Sequence, residues 1–500
     1  MLILVSTISV ASVKPLKNFI LAPGTVSATS ATLLWDKPDN FTNIACYCVY
    51  VDGKEVATTK RCNYRLTGLE PETSYSVSIK ILYKNGILSL GTEEITFRTS
   101  SQGRILNVTD FGAKGDGTTL NTQAIQKAID ACPENGTVLI PAGKFLSGAL
   151  FLKSNMTLEI AKDGILKGSL RLEDYLPFIH NRYTGWELDT YASLINAGKM
   201  DSKGDYTVRN LVIKGEGTIS GGGPQLGLAQ KETSGGDSRA RLILLMNCLN
   251  VDIQGLHIKD SPSWTIHFIY SKGVTLHDLD IYSTARNGDG INPDSSDDTY
   301  IFNCTFSTGD DCIAIKSGKN PDGYVIGRPT RNVCITDCIF NRGHGISIGS
   351  EISGGISNVL IRDCIAGPLN QGMQIKSTKA RGGYVKDVRV IDCDLQKITI
   401  YSALPYGNEG EPAPEIPVYE NFIFKNITLE HASIKEPVIN INGWEETGHR
   451  LKNVLFEHIL LPDSAEININ NAEKITFRNV HTQQGMKPLF KIVNSINISH

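Results

Sequence analysis

Asn250-Val251-Asp252-Ile253-Gln254-Gly255-Leu256 returns, altered but recognisable, as Asn332-Val333-Cys334-Ile335-Thr336-Asp337-Cys338. It returns again as Asn358-Val359-Leu360-Ile361-Arg362-Asp363-Cys364 and Asp387-Val388-Arg389-Val390-Ile391-Asp392-Cys393. The same frame opens at Gly273, Asp298, Asn421, Asn453 and Lys474, with starts 21 to 34 residues apart. Positions two, four and seven are apolar, Thr299 excepted, and a polar pair precedes position seven in most copies. Alternation with period two gives a strand with one face inward. A unit of this length, built of strands without helices, predicts a parallel β-helix, right-handed in its coiling.

Position seven carries Leu256, Leu279, Cys304, Cys338, Cys364, Cys393, Ile427, Ile459 and Val480. A slot that accepts Leu, Ile, Val or Cys treats cysteine as a small buried hydrophobe. The four of the eleven cysteines that occupy this slot are therefore expected as reduced packing thiols. No Cys/His cluster has zinc spacing.

Working outward, Ile125, Ala128, Ile129 and Cys132 fall at i, i+3, i+4 and i+7, the apolar face of a short helix. Such a helix can cover the open end of a solenoid. The β-helix is expected over residues 104–500, after a linker at Ser100-Ser101-Gln102-Gly103. Residues 14–100 have a different rhythm. Short alternating runs such as Ala31–Trp35, Tyr47–Val51 and Tyr75–Leu82 are separated by turn residues, as in a β-sandwich. Leu66-Thr67-Gly68-Leu69-Glu70-Pro71-Glu72-Thr73-Ser74-Tyr75 resembles the corner of a fibronectin type III domain, where the tyrosine hydroxyl ties back to the backbone. No chemistry is visible in this unit, and Cys46, Cys48 and Cys62 allow at most one disulfide. The expected fold class is all-β, a parallel β-helix preceded by a fibronectin type III-like sandwich.

Bulk composition excludes several function classes. A net charge of −3 gives no reason to expect nucleic acid as a partner. No stretch approaches the ~18–20 apolar residues of a membrane span. Met1 to Val13 is apolar and ends in small residues but lacks a basic start. Either an atypical signal peptide or a first strand fits it.

The chemistry concentrates in one window. Asn287-Gly288-Asp289-Gly290 is followed, 21 residues on, by Gly309-Asp310-Asp311-Cys312. An offset of one coil brings Asp289 beside Asp310 and Asp311, with neighbouring strands ~4.8 Å apart. Three carboxylates that close cannot all ionise freely, so at least one pKa rises. A protonated carboxyl beside ionised partners suits glycoside hydrolysis, in which one group protonates the leaving oxygen and another activates water. Three aspartates can also bind Ca²⁺ or form a solvated acidic turn, as expected at Asp297-Asp298. One coil later comes Arg342-Gly343-His344-Gly345, and one more coil gives Gly372-Met373-Gln374-Ile375-Lys376. Recurrence at coil-like intervals lets these groups line one groove.

Asn287-Gly288-Asp289, Gly309-Asp310-Asp311 and Gly343-His344-Gly345 resemble signatures of glycoside hydrolase family 28, the polygalacturonases. Asp110-Phe111-Gly112-Ala113-Lys114-Gly115-Asp116-Gly117 and Asp260-Ser261-Pro262-Ser263-Trp264-Thr265-Ile266-His267 also look like that family. The resemblance implies an inverting hydrolase of polygalacturonate or pectin, with a pectic polysaccharide or oligogalacturonide as substrate and no metal or organic cofactor. It makes Asp310 the general acid, Asp289 and Asp311 the pair that activates water, and His344 the support of the acid's protonation. Lys376 would contact the galacturonate carboxylate on the leaving side. Asn287, Gln374, Lys316, Arg342 and Glu351 are further candidate substrate-binding residues. An enzyme of this kind is expected outside the cytoplasm, extracellular or periplasmic.

One signature departs from the pattern, because Gln374 stands where the family has Arg. An amide donates a hydrogen bond but brings no charge and no bidentate fork. Carboxylate recognition would then pass to Arg342, Lys316, Lys379 or Arg381, or the leaving-side sugar would differ. The stretches Asp311–Gly318 and Ile348–Gly355 and the preceding sandwich look like the exo-acting bacterial branch. The long interval from Asp311 to His344 adds a loop, Lys319 to Arg331, that can close one end of the groove. Endo action, a modified pectin as substrate, a calcium-dependent pectate lyase and a non-catalytic glycan-binding β-helix are the competing readings.

Overall fold

The computed structural model describes residues 16–38, 41–367, 369, 372–406 and 409–500. Met1 to Val13 lies outside them. The chain divides into two compact units, Met1–Gly103 and Arg104–His500.

The first unit is a sandwich of a three-stranded and a four-stranded antiparallel sheet. Leu33, Trp35, Tyr47, Val49, Val77 and Ile79 fill its core, with Trp35 edge-on to Tyr47. The hydroxyl of Tyr75 accepts the backbone N–H of Glu70 at 2.8 Å, the corner contact expected from sequence. No disulfide joins Cys46, Cys48 or Cys62 among the described residues, so the one the sequence allowed is not formed.

The second unit is a parallel β-helix. One face is a twelve-stranded parallel sheet running from Leu150–Leu152 to Leu489–Val493. The rest of each coil belongs to a twenty-three-stranded sheet. In the twelve-stranded sheet one inward column reads Ile195, Ile243, Ile266, Ile291, Ile313, Ile346, Met373, Ile398, Ile439 and Ile467, each paired with the next. Stacking like on like in this way removes apolar surface from water on every rung. The helix Thr122–Ala131 adds Ile125, Ala128 and Ile129, all fully buried, to the same core.

The sequence frame has a backbone cause. Its first position adopts positive φ at Asn250, Gly273, Asp298, Asn332, Asn358, Asp387, Asn421, Asn453 and Lys474. Its sixth position does so at Gly255, Asp278, Asn303, Asp337, Asp363, Asp392, Asn426, His458 and Asn479. Left-handed backbone is accessible chiefly to Gly, Asn and Asp, which is why those residues mark the ends of most inward strands, Lys474 and His458 being the exceptions. The asparagines also bond rung to rung, as Asn332 to Asp298 at 2.7 Å and Asn358 to Asn332 at 2.8 Å. Asp298 thus serves a ladder, and Asp297 pairs with Arg331 through two contacts, so these two acids are structural. Cys304, Cys338, Cys364 and Cys393 are buried and unpaired in the position-seven slot, as packing thiols. No helix among the described residues is long and apolar enough to cross a membrane.

One element has no counterpart in the repeat. Ile179–Tyr183 and Trp186–Thr190 form an antiparallel hairpin laid over the outer side of the twelve-stranded sheet. Arg182, fully buried, anchors it by donating to Asp294 and Ser295, both at 2.8 Å, and to the Tyr270 hydroxyl. Burial opposes ionisation of Asp294, but Arg182 and His267 outweigh it and hold the carboxyl below its usual range. His267 beside it is pushed down to about 4 by burial and stays neutral.

Candidate active site

The site lies on the outward side of the twelve-stranded sheet, where two columns stand beside the isoleucine column. One runs His267, Asn292 on adjacent rungs, then Ala314, Ser347, Gln374, Thr399. The other runs Asp294, Lys316 and, further along, Gly349, Lys376, Tyr401. Asp289 and Asp311 enter from the turns that precede these strands. Gly290 N–H donates to the Asp311 carbonyl and Thr265 N–H to the Asp289 carbonyl, so the 21-residue offset does put the aspartates on adjacent rungs. Gly343 and Gly345 hold positive φ, and a Cβ on Gly345 would lie 2.0 Å from the Gly372 carbonyl oxygen. The close backbone approach that glycine permits therefore packs the His344 turn against the next rung.

His344 Nδ1 lies 3.2 Å from Asp310 Oδ1 and 3.4 Å from Asp311 Oδ1. The bonds from Asp310 and Asp311 push the imidazole up to about 10, so it is a cation at neutral pH. Asp311 is buried, yet Lys376 at 3.5 Å, His344, Lys316 and Ser347 overcome the burial and hold it well below the carboxylate range. Asp289, 2% exposed, goes the other way. Burial raises it well above the usual value, Lys316 at 3.6 Å opposes that, and the neighbouring Asp310 and Asp311 add to it. Asp310 is the accessible member, its side chain 25% exposed. Three carboxyls in one cluster thus have three environments, as their crowding requires.

The further candidates divide. Lys376 stands directly over Asp311. Asn287 donates weakly to Asp310 Oδ2 at 3.5 Å, and its own carbonyl accepts from Arg239 at 2.9 Å. Lys316 is not offered to a ligand. Its ammonium bridges Asp289 and Glu351, the latter at 3.2 Å, above the Trp264 ring. Glu351 is buried in that same ion pair, so both belong to the floor of the site, where each satisfies the other's charge. Gln374 is 3% exposed and donates to Asp311 Oδ1 at 3.1 Å and to Ser347 Oγ at 2.7 Å. It faces a carboxylate of the protein rather than a sugar. Arg381 pairs with Glu409 and Ser350, and Lys379 with Glu446; neither fills the gap left by the missing Arg. Arg342 is exposed at the end of the strand Ile339–Arg342, one residue before the turn that carries His344.

Three features escaped the sequence reading. Arg239 fixes the Asn287 amide and also donates to the Arg286 carbonyl. Ser347 donates to Asp311 Oδ1 at 2.6 Å. The hairpin tip meets the site's edge, where a Cβ on Gly185 would lie 2.3 Å from Lys319 Cβ and 2.9 Å from Glu351 Cγ. The loop at 319–326 is clamped there. Trp186 Nε1 donates to the Asn320 carbonyl at 2.7 Å, the Asp322 carboxylate accepts the Glu187 N–H at 3.0 Å, and Asn320 donates to the Gly410 and Glu411 carbonyls. Three segments thus meet at this edge of the site, of which the sequence indicated only one.

Asp310, Asp311 and His344 have ligand atoms within 4.8 Å of one another. The set does not suit Ca²⁺, which takes six to eight oxygens. Here the carboxylates already face an imidazolium and two ammonium groups.

A family model described as glycosyl hydrolases family 28 matches residues 134–478, and a fibronectin type III model matches residues 16–97. An exo-poly-α-D-galacturonosidase of Dickeya chrysanthemi is 28% identical, over 90% of this chain and 88% of that protein. An endo-polygalacturonase of Pectobacterium carotovorum subsp. carotovorum is 30% identical, over 72% of this chain and 88% of that protein. A family 28 exopolygalacturonase of Yersinia enterocolitica superposes with a TM-score of 0.87 at 26% identity, covering 97% of this chain and 99% of that one.

Proposed function

This chain belongs to glycosyl hydrolases family 28, and we propose that it hydrolyses the α-1,4 bonds of polygalacturonate from a chain end, with inversion, outside the cytoplasm. The observation that carries the reading is the division of one carboxyl cluster into three environments. Asp310 is accessible and beside the protonated His344, and it delivers a proton to the leaving oxygen. Asp311, held ionised, takes the proton from the attacking water, with Asp289 as its neighbour. Lys376 meets the sugar carboxylate above Asp311. Hydrolysis then needs no metal: bond cleavage and water addition are balanced by one proton given and one proton taken.

The walled end supports exo action. A groove open at both ends admits a chain anywhere along its length, whereas a pocket closed by the hairpin tip and the 319–326 loop grips a terminus. The relatives named above include both exo and endo enzymes; the two that align with 90% or more of the chain are exo.

Digestion of polygalacturonate in EDTA, followed by sizing of the products, tests the reading. Short saturated products released at constant size support it. Calcium-dependent release of ultraviolet-absorbing, unsaturated products would replace it with lyase chemistry, and a ladder of sizes would make the enzyme endo-acting.

The raised Asp289 favours a second division of labour, with Asp289 as proton donor and Asp310 in the base pair. A galacturonoside with an activated aryl leaving group distinguishes the two. Only the variant lacking the acid, Asp310→Asn or Asp289→Asn, should regain turnover on it, because such a leaving group needs no proton.

A further inference from the structure

We infer that Gln374, with Ser347, is a positioning residue for the water-activating carboxylate, clamping Asp311 Oδ1 so that Oδ2 takes the proton from water. The inference rests on the proposed role of Asp311.

Asp311 Oδ1 receives the Ser347 hydroxyl at 2.6 Å and the Gln374 amide at 3.1 Å, with His344 Nδ1 at 3.4 Å. The second Gln374 N–H goes to Ser347 Oγ at 2.7 Å. The hydroxyl has one proton and spends it on Asp311 while it accepts from Gln374. Gln374, Ser347 and Asp311 therefore form a closed triangle with one arrangement of donors. Register makes this possible, because Ser347 and Gln374 are direct partners on adjacent rungs of the same outward column. Oδ1 has no lone pair to spare for a fourth strong donor. Oδ2, on the Lys376 side at 3.5 Å, is the oxygen left to meet water.

An amide also suits the electrostatics. Lys376, Lys316 and His344 already hold the Asp311 carboxyl low. A guanidinium at position 374 would bring a fourth cation onto the base and weaken it further. A neutral donor orients the carboxylate without that cost. Gln374 is then no degraded carboxylate binder; it fixes the geometry of the group that does the chemistry.

Steady-state kinetics on oligogalacturonides, with a double-mutant cycle, test this. Gln374→Met keeps the volume and removes both N–H groups; Ser347→Ala removes the other donor. Each should lower kcat about tenfold, as expected for a lost hydrogen bond to a charged group, and leave KM within about twofold. Both losses should vanish in an Asp311→Asn background, because residues that act through one carboxylate are not additive. A substrate contact would instead raise KM and add its full loss in that background, which overturns the inference. Should Gln374→Met fail to fold, Ser347→Ala carries the same cycle. Near-wild-type activity of Asp311→Asn alone would overturn the role of Asp311 first, a result separable from loss at Asp311 with no loss at Gln374.

Discussion

The two outward columns of the twelve-stranded sheet read very differently at their two ends. In the last coils they hold Asn440 and Asn468, then Asn442 and Asn470, each pair on adjacent rungs. Asn468 donates to Asn440 at 2.9 Å and Asn470 to Asn442 at 3.1 Å. From six to two rungs before Asn440, the same columns hold His267, Asn292, Asp294, Lys316, Ser347, Gln374 and Lys376. The scaffold supplies identical slots in both regions. Where like stacks on like, each amide satisfies the next and the column is finished. Where unlike charged groups stack, their partners include groups on the accessible side, and the column can do chemistry.

The comparison breaks most sharply on activity. Asp310→Asn should cost ~10²–10⁴-fold in kcat, the usual contribution of a general acid, with the thermal midpoint near that of the wild type. Activity within a few fold would remove Asp310 from that role. Next is the pocket wall. Gly185→Val puts a branched side chain at φ +93 against Lys319 and Glu351. The strained backbone should cost ~1–3 kcal/mol, and the displaced hairpin tip should broaden the product sizes. Unchanged product size would separate the wall from exo action. Asn468→Ala should have the opposite signature, a loss of ~1 kcal/mol in chemical denaturation with kcat and KM unchanged. A loss of activity there would end the distinction between the two ends of the columns.

The smallest effect is a pH dependence. His344 is raised by its aspartates to about 10 in the folded protein, so folding favours the imidazolium. Its contribution to stability is complete below the unfolded value near 6.5. It is lost as pH rises through about 10. The stability gap between wild type and His344→Asn should therefore be widest near pH 6 and shrink toward pH 10. It should be modest, since the ring is a third exposed and solvent screens the pair. A gap that widens with pH would contradict the bond to Asp310 and Asp311.

What the sequence made legible follows one physical rule. Position one and position six of the frame take Asn, Asp or Gly in all but two cases, Lys474 and His458, because their backbone is left-handed, and that requirement survives even where side chains drift. The carboxylates were legible through the same rule, since an offset of one coil between Asp289 and Asp310 fixes their adjacency. Contacts that depend on column register were not. Gln374 is separated from Asp311 by 63 residues, and only the alignment of Ser347 with Gln374 across the rungs shows that it faces the base. Lys316 and Glu351 read as ligand-binding charges until their burial in one pair was seen. The hairpin at 179–190 obeys no repeat, and its anchor, Arg182, gives no local signal because its partner Asp294 lies 112 residues away.

The central claim is that this cluster cleaves a galacturonate chain by adding water with inversion. Proton NMR of a polygalacturonate digest in EDTA, recorded before the anomers equilibrate, tests it directly. The account predicts that the new reducing end appears first as the β anomer, with no signal from an unsaturated sugar. First appearance of the α anomer, or of a double bond that depends on calcium, would contradict it.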